Sequence, residues 1–364
     1  MYDTFAQLRV SLVMPTVKDV ARRAGVSPAT VSNVINRKGN VSPALVESVT
    51  RAIEELGYRP NVLARGLRVS RTYTVGLVIS DMLNPYFSEI AAGVERVCSG
   101  RGYTVLFCTT GDDKYAEAKH VQVLRDRQVD GIIVASTGAG NEVIEKLVAD
   151  GYPVVLINRR LDGVEADSVV SDNVGGALQV MDYLVSLGHR RIAFVAGARD
   201  SLPSRERLDG YLRGLAKAGI MVDNDIIRYG YLKYSGGYEA AKYLLALPDR
   251  PTAIFAANDM MAIGVMDAVL EAGLTIPQDI SLVGFDDTML SSLKRINLTT
   301  VRQSYLELGE IATKMLLDKL SKRPGRRSLK RQVVPCSLVV RGSCAHVTAK
   351  TNVPGVGSAA PAGR

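Results

Sequence analysis

From residue 72 onward the sequence repeats one unit: a short apolar run rich in Val and Ile, then a longer helix-patterned stretch. The runs are TVGLVIS, YTVLFC, GIIVAS and PVVLIN, followed after a break by RIAFVAG, TAIFAAN and ISLVGFD. A strand that is apolar without alternation is buried on both faces, as in a parallel sheet sandwiched by helices. Strand and helix in strict alternation specify a doubly wound α/β layer structure. The alternation stops at 171–176 (SDNVGG) and restarts, which predicts two similar lobes. With 364 residues, 47% of them apolar and 23% charged, the chain has material for two or three globular domains.

In open α/β sheets ligands lodge outside the carboxyl ends of the strands, so the polar and aromatic residues that follow each run are the candidate site. They are Asn84, Tyr86 and Phe87, then Asn158 and Arg159, Asp172, Ser201 and Arg207, Asn258 and Asp259, Asp286, and Gln303. Carboxylates and amides accept from ligand hydroxyls, Arg207 donates in a fork, and Tyr86 or Phe87 can stack on an apolar ring face. Each of Asn84, Asn158, Asp172 and Asp259 reads equally well as a loop cap.

Residues 1–71 differ in kind. They hold 11 Lys/Arg against 5 Asp/Glu, whereas 72–320 hold 25 against 32 and 321–364 hold 9 against none. A basic head on an acidic body suits a polyanion-binding module, since phosphate neutralisation needs cations held together. The basic C-terminal stretch has a plainer reading as a solvated charge run. Within the head, Thr16 and Asp19 have the spacing of a capping box opening a helix with Val17, Val20 and Ala21 on one face. Gly25 ends it. Ser27 then caps a second helix with Pro28 at its first position and Val31, Val34 and Ile35 inward. A third helix follows, capped by Ser42, carrying Val46, Val49, Ile53 and Leu56 and stopped by Gly57. Two helices joined by a three-residue turn, in a basic segment, read as a helix-turn-helix. The N-terminal residues of its second helix enter the major groove. Asn33 can pair with an adenine edge and Ala29 can touch a thymine methyl, while Thr30 and Ser32 can equally well bind phosphate.

TVKDVARRAGVSPATVSNVIN followed by YRPNVLARGLR resembles the DNA-binding head and hinge of the LacI/GalR family of bacterial transcription regulators, and the resemblance runs from residue 15 to about 345. It implies DNA contacts from Thr16, Ser27, Pro28, Ala29, Thr30, Ser32, Asn33, Asn36, Tyr58, Asn61, Ala64, Arg65 and Leu67. Segment 60–68 would become a short helix only on the operator, with Leu67 wedged into a minor-groove step. Gly66 stands where the family often has serine, and a helix-interior glycine costs about 0.8–1 kcal/mol relative to alanine. The effector candidates match family contact positions, although Pro203 replaces a frequent hydroxyl donor.

The expected fold is an all-α helix-turn-helix head joined by a hinge helix to an α/β bilobal, periplasmic-binding-protein-like domain. Its expected limits are 1–14 (extension), 15–59 (DNA-binding), 60–71 (hinge and linker), 72–345 (effector-binding and dimerisation, crossovers near 172, 296 and 330) and 346–364 (disordered tail). The expected function is a repressor that binds a palindromic operator as a homodimer or dimer of dimers, under control of a small molecule. A sugar or sugar derivative is the first choice of effector and a purine or nucleoside the second. An enzyme on a nucleotide-binding fold is disfavoured, because the chain has neither G-x-G-x-x-G, nor G-x-x-x-x-G-K-[ST], nor G-x-S-x-G. A periplasmic solute-binding protein fits the body, but the head and the absence of a signal-peptide pattern oppose it. The four cysteines and three histidines show no ligand spacing, so neither metal nor cofactor is expected. No apolar run reaches membrane-spanning length, and a cytoplasmic, nucleoid-associated location is expected.

Overall fold

The computed structural model describes residues 15–35, 39, 41–58, 71–135, 141–161, 164–321 and 329–347. The chain divides into two compact units, Met1–Thr72 and Tyr73–Arg364.

In the first unit, three helices enclose a small core. The Thr16 hydroxyl accepts from the Asp19 amide at 3.4 Å while the Asp19 carboxylate accepts from the Thr16 amide at 2.9 Å, so the capping box opens α1 (Val17–Ala24). Gly25, at φ 68°, closes α1 in the left-handed conformation that a side chain resists. The Ser27 hydroxyl accepts from the Thr30 amide at 3.1 Å and opens α2 (Pro28–Ile35). Helix α3 (Pro43–Leu56) begins at Ser42, but there the hydroxyl makes no cap hydrogen bond. Val20, Ala21, Val31, Val49, Ala52 and Tyr58 form the buried centre. Val46, expected inside, is 39% exposed, since α1 and α2 cover only one stripe of α3.

The second unit contains two parallel sheets. The first lobe carries six strands, β1 (Thr74–Ile79), β2 (Thr104–Thr109), β3 (Gly131–Ala135), β4 (Val154–Ile157), β5 (Asp167–Ser171) and β11 (Arg331–Val334), in the order β11-β5-β4-β3-β1-β2. Helices α4 (Pro85–Ser99) and α11 (Tyr305–Ser321) pack on one face around Leu77, Ile133 and Leu316. Helices α5 (Lys114–Asp126) and α6 (Glu142–Ala149) cover the other face around Val78, Ile132 and Leu156. Contrary to its reading as a buried strand, β2 is the half-exposed edge, with Phe107 45% exposed.

The second lobe holds β6 (Ile192–Ala196), β7 (Ile227–Tyr229), β8 (Ala253–Ala256) and β9 (Ser281–Val283) in the order β7-β6-β8-β9. They lie among α7 (Asn173–Ser186), α8 (Leu202–Lys217), α9 (Tyr234–Leu245) and α10 (Asp259–Glu271). A short antiparallel pair, β10 (Thr300–Arg302) with β12 (Ser337–Val339), joins the lobes. The chain enters the second lobe after β5, returns between Val301 and Tyr305, and crosses again between Val334 and Cys336. The last two passages fall later than positions 296 and 330, because Leu298 and Val301 are packed in the second core and Val334 in the first. The return matters because α11, late in the chain, completes the first lobe. It approaches α4 so closely that a Cβ on Gly93 would lie 2.2 Å from the Leu306 carbonyl oxygen, and one on Gly309 2.3 Å from that of Ile90.

Candidate functional site

A cavity of about 250 Å³ opens at the carboxyl ends of the strands of both sheets. Among the sequence candidates, Asn84, Tyr86, Phe87 and Asn158 line it from the first lobe, and Arg207, Asn258 and Asp286 from the second. Their side chains are tied to the framework. Asn84 caps α4 by accepting from the Tyr86 amide at 3.1 Å, which turns Tyr86 and Phe87 into the cavity wall. The Tyr86 ring meets Phe87 and Tyr305 edge-on at 4.6 and 4.8 Å. Asn158, at φ 50°, donates to the Tyr86 hydroxyl at 2.7 Å and accepts from the Ser171 amide at 2.7 Å.

The floor is a buried Arg–Asp pair. Arg207 donates to Asn173 at 2.9 Å and to the Ala257 carbonyl, lies 3.9 Å above the Phe285 ring, and stands 3.6 Å from Asp286. Asp286 accepts from Gln303 at 2.8 Å, and its own carbonyl accepts from the Tyr305 hydroxyl. Its φ of 132° is a conformation L residues rarely adopt, and strain of this kind collects where a side chain must be aimed. Burial pushes the Asp286 carboxyl above its ordinary range, with Arg207 pulling it back.

Five candidates lie outside the lining. Arg159 is 2% exposed and pairs with Glu117 at 2.6 Å inside the first lobe. Asp172 caps α7 through the Gly175 amide at 2.9 Å, and Ser201 sits fully buried at the start of α8. Gln303 steers Asp286 from behind. Asp259 accepts from Thr300 at 2.6 Å and from the Thr288 amide and hydroxyl at 2.8 and 3.1 Å, and burial followed by repulsion from Asp286 raises its pKa. In each case the side chain serves a helix start or a buried network, because a strand end places only some of its residues on the open side.

The structure adds lining residues that the sequence reading missed, among them Asp81, Asp112, Tyr231, Lys233, Tyr234 and Met260. Four of them follow β7 or β8. β7 is only three residues long and too short to register as an apolar run; the aromatic, glycine-rich stretch GYLKYSGGY was the signal available.

On the head, Pro28, Ala29 and Asn33 are exposed on α2 and Thr30 and Ser32 half-buried. Thr16 and Ser27 are exposed, with their hydroxyls committed to the caps. Tyr58, expected at DNA, has its ring in the head's core, 8% exposed, and burial raises its pKa. Asn36, Asn61, Ala64, Arg65 and Leu67 lie outside the described residues. No group of side chains among the described residues is arranged to hold a metal ion, and no helix among them is long and apolar enough to cross a membrane.

Residues 16–61 match the family model of bacterial regulatory proteins, lacI family, and 181–344 match that of a periplasmic binding protein-like domain. The chain is 37% identical over 333 residues to the ribose operon repressor of Escherichia coli (strain K12), covering 91% of this chain and all of that one. It belongs to the LacI family. Solved structures of this LacI-family regulator's relatives agree. The lac repressor dimer bound to operator and the anti-inducer ONPF matches with a TM-score of 0.82 at 31% identity, covering 91% of this chain and 99% of that one. The complex of the transcriptional regulator CelR with cellobiose matches with a TM-score of 0.68 at 34% identity, covering 90% and 99%. The family consists of DNA-binding regulators rather than enzymes, and this member is a transcriptional regulator with a helix-turn-helix head and an effector-binding body.

Proposed function

We propose that this regulator is a repressor that binds a two-fold operator as a homodimer, with its affinity set by a sugar or sugar derivative in the cleft between the lobes. Residues 15–59 read DNA through Pro28, Ala29, Thr30, Ser32 and Asn33. Residues 60–71 form the operator-dependent hinge carrying Leu67, and 72–345 sense the effector. The chain works in the cytoplasm on the nucleoid, where its operator is.

The observation that carries this reading is the buried Arg207–Asp286 pair on the cavity floor, flanked by Asn158 and Asn258 and faced by the Tyr86–Phe87 wall. Amides and a carboxylate beside an aromatic face suit a polyol with one apolar ring face. Effector binding changes the lobe angle and therefore the fraction of hinges able to fold on the operator, which is coupling in the thermodynamic sense. The test titrates operator DNA with the full chain in the presence of sugars, sugar derivatives and nucleosides. A sugar-type compound that shifts operator affinity supports the proposal; a response to nucleosides alone assigns the cleft to the purine class instead.

A further inference from the structure

The floor residue Arg207 is tied to a point outside the cavity. Its Nε donates to the Asn173 side-chain oxygen at 2.9 Å, and the side-chain nitrogen of Asn173 donates to the Ser171 carbonyl at 3.2 Å and to the Glu206 carboxylate at 2.9 Å. Asn173 is 1% exposed and opens α7 two positions after the end of β5, where the chain crosses into the second lobe. One amide thus joins the cavity floor, the last strand residue before the crossing and a carboxylate on α8. Glu206 in turn stands 3.9 Å from Arg160 of the first lobe. Just ahead of α8, Asp200 stands 4.0 Å from Lys114, again a cation of the first lobe.

The two first-lobe cations share an anchor, a buried network that the effector site does not use. Arg159, next to Arg160, pairs with Glu117 at 2.6 Å, and Asn141 donates to Glu117 at 2.9 Å and to the Lys114 carbonyl at 3.3 Å. This network fixes the start of α5 against the segment that follows β4. Lys114 and Arg160 therefore move with the first lobe as a body, whereas Asp200 and Glu206 move with α8 and Arg207. A change of lobe angle keeps the bonds within each lobe and alters these two pairs. Only interactions that differ between two conformations bias the choice between them. Both pairs stand beyond hydrogen-bond distance, and drawing the lobes together by about 1 Å converts each into a charge-assisted hydrogen bond.

We infer that Arg160–Glu206, with Lys114–Asp200 beside it, is a latch across the cleft, and that Glu206 sets effector affinity without touching the effector. This rests on the sensing function proposed above and names how that site is regulated. An effector that engages Arg207 draws α8 toward the first lobe, and the same movement brings Glu206, held on Asn173, onto Arg160. Each pair is partly solvated and screened, so the latch contributes a few-fold in affinity. Arg160 and Glu206 stand outside the cavity lining, so removing their charges leaves the lining in place.

The experiment is a double-mutant cycle on the full chain, read by calorimetric titration with ribose, glucose, cellobiose and adenosine. Glu206→Gln keeps an oxygen for Asn173 and loses the charge, and Arg160→Gln removes the partner. Each is expected to lower the affinity of whichever probe binds by about three- to fivefold, with the double variant losing no more than either single one and the melting temperature changing little. Raising the salt concentration should weaken the binding of a neutral probe more in the parent than in the variants, because only the parent has this pair to screen. Unchanged affinity in the single variants, or losses that multiply in the double one, overturns the latch. Binding of none of the four probes counts against the sensing function instead, and the same cycle is then read on operator affinity, which the lobe angle also sets. There a non-additive result supports the latch, and a null or additive one overturns it.

Discussion

The two buried carboxylates of the second lobe, 27 positions apart in sequence, have opposite tasks. Asp286 is aimed at the cavity by a strained backbone, and Asp259 is sealed behind it among threonines. Asn matches Asp in shape and tolerates a positive φ better than most residues, so Asp286→Asn preserves the backbone and removes the charge, although it leaves the buried Arg207 without its carboxylate. The expected loss of effector affinity is about 1.5–3 kcal/mol, roughly tenfold to more than a hundredfold, read by calorimetric titration. Arg207→Ala goes further. It strands Asp286 without its counter-charge, so denaturant unfolding should also register a loss of about 3–5 kcal/mol. Asp259 gives the pH dependence. Burial raises its folded pKa above the unfolded value, so the unfolded chain releases this proton at lower pH than the folded one. Its stabilising contribution is complete below the unfolded pKa and declines as pH rises toward the folded pKa. Stability measured in urea from pH 4 to 8 should therefore fall less steeply in Asp259→Asn than in the parent; parallel curves would show that the carboxyl is ionised in the fold.

At the level of elements, glycines decide which helices can touch. Gly93 on α4 and Gly309 on α11 let the two backbones meet over the first sheet, and Gly237 on α9 does the same against Met261 of α10, where a Cβ would lie 2.2 Å from a carbonyl oxygen. Since a backbone cannot yield as a side-chain tip does, Gly93→Ala should push α11 outward at a cost of about 1–3 kcal/mol. The melting temperature should drop by several degrees, with operator affinity at low temperature much less affected. Between the lobes, by contrast, the ion pairs are weak. Lys114–Asp200 at 4.0 Å is exposed at both ends and Arg160–Glu206 at 3.9 Å at its arginine, and such long surface pairs contribute about 0–1 kcal/mol.

For the whole molecule, the division of charge predicts a division of labour. Basic residues concentrated in the head make operator affinity fall steeply with salt, whereas the binding of a neutral ligand in the enclosed cleft is expected to depend on salt far less. Leu67→Ala should abolish specific operator binding while leaving dimerisation and effector binding intact, because an alanine cannot fill an opened base step whose unstacking costs a few kcal/mol. Sedimentation, effector titration and operator titration of one preparation would separate the three properties. An unchanged operator affinity at fixed salt would remove Leu67 from the proposed wedge.

Much of this was legible in the sequence because it depends on neighbours along the chain. Helix starts such as Thr16–Asp19 and Ser27–Pro28 and the stop at Gly25 are local hydrogen-bonding problems with local solutions. The apolar runs point to buried strands, since short stretches rich in β-branched residues and bounded by polar turns favour a strand hidden on both faces over a helix. Long-range decisions were not legible. That α11 returns to roof the first lobe, that β2 is an edge, and that Tyr58 turns inward all follow from which surfaces remain to be covered once the sheets are assembled. The cleft shows the same limit. The sequence indicated which strand ends carry polar residues, but tertiary packing decided that Arg159 and Asp259 face protein while Asn158 and Asp286 face the cavity. It also brought Tyr231 and Lys233, which follow the short strand β7, to the cavity wall, because which loops border an opening depends on strands and helices that lie far apart in sequence.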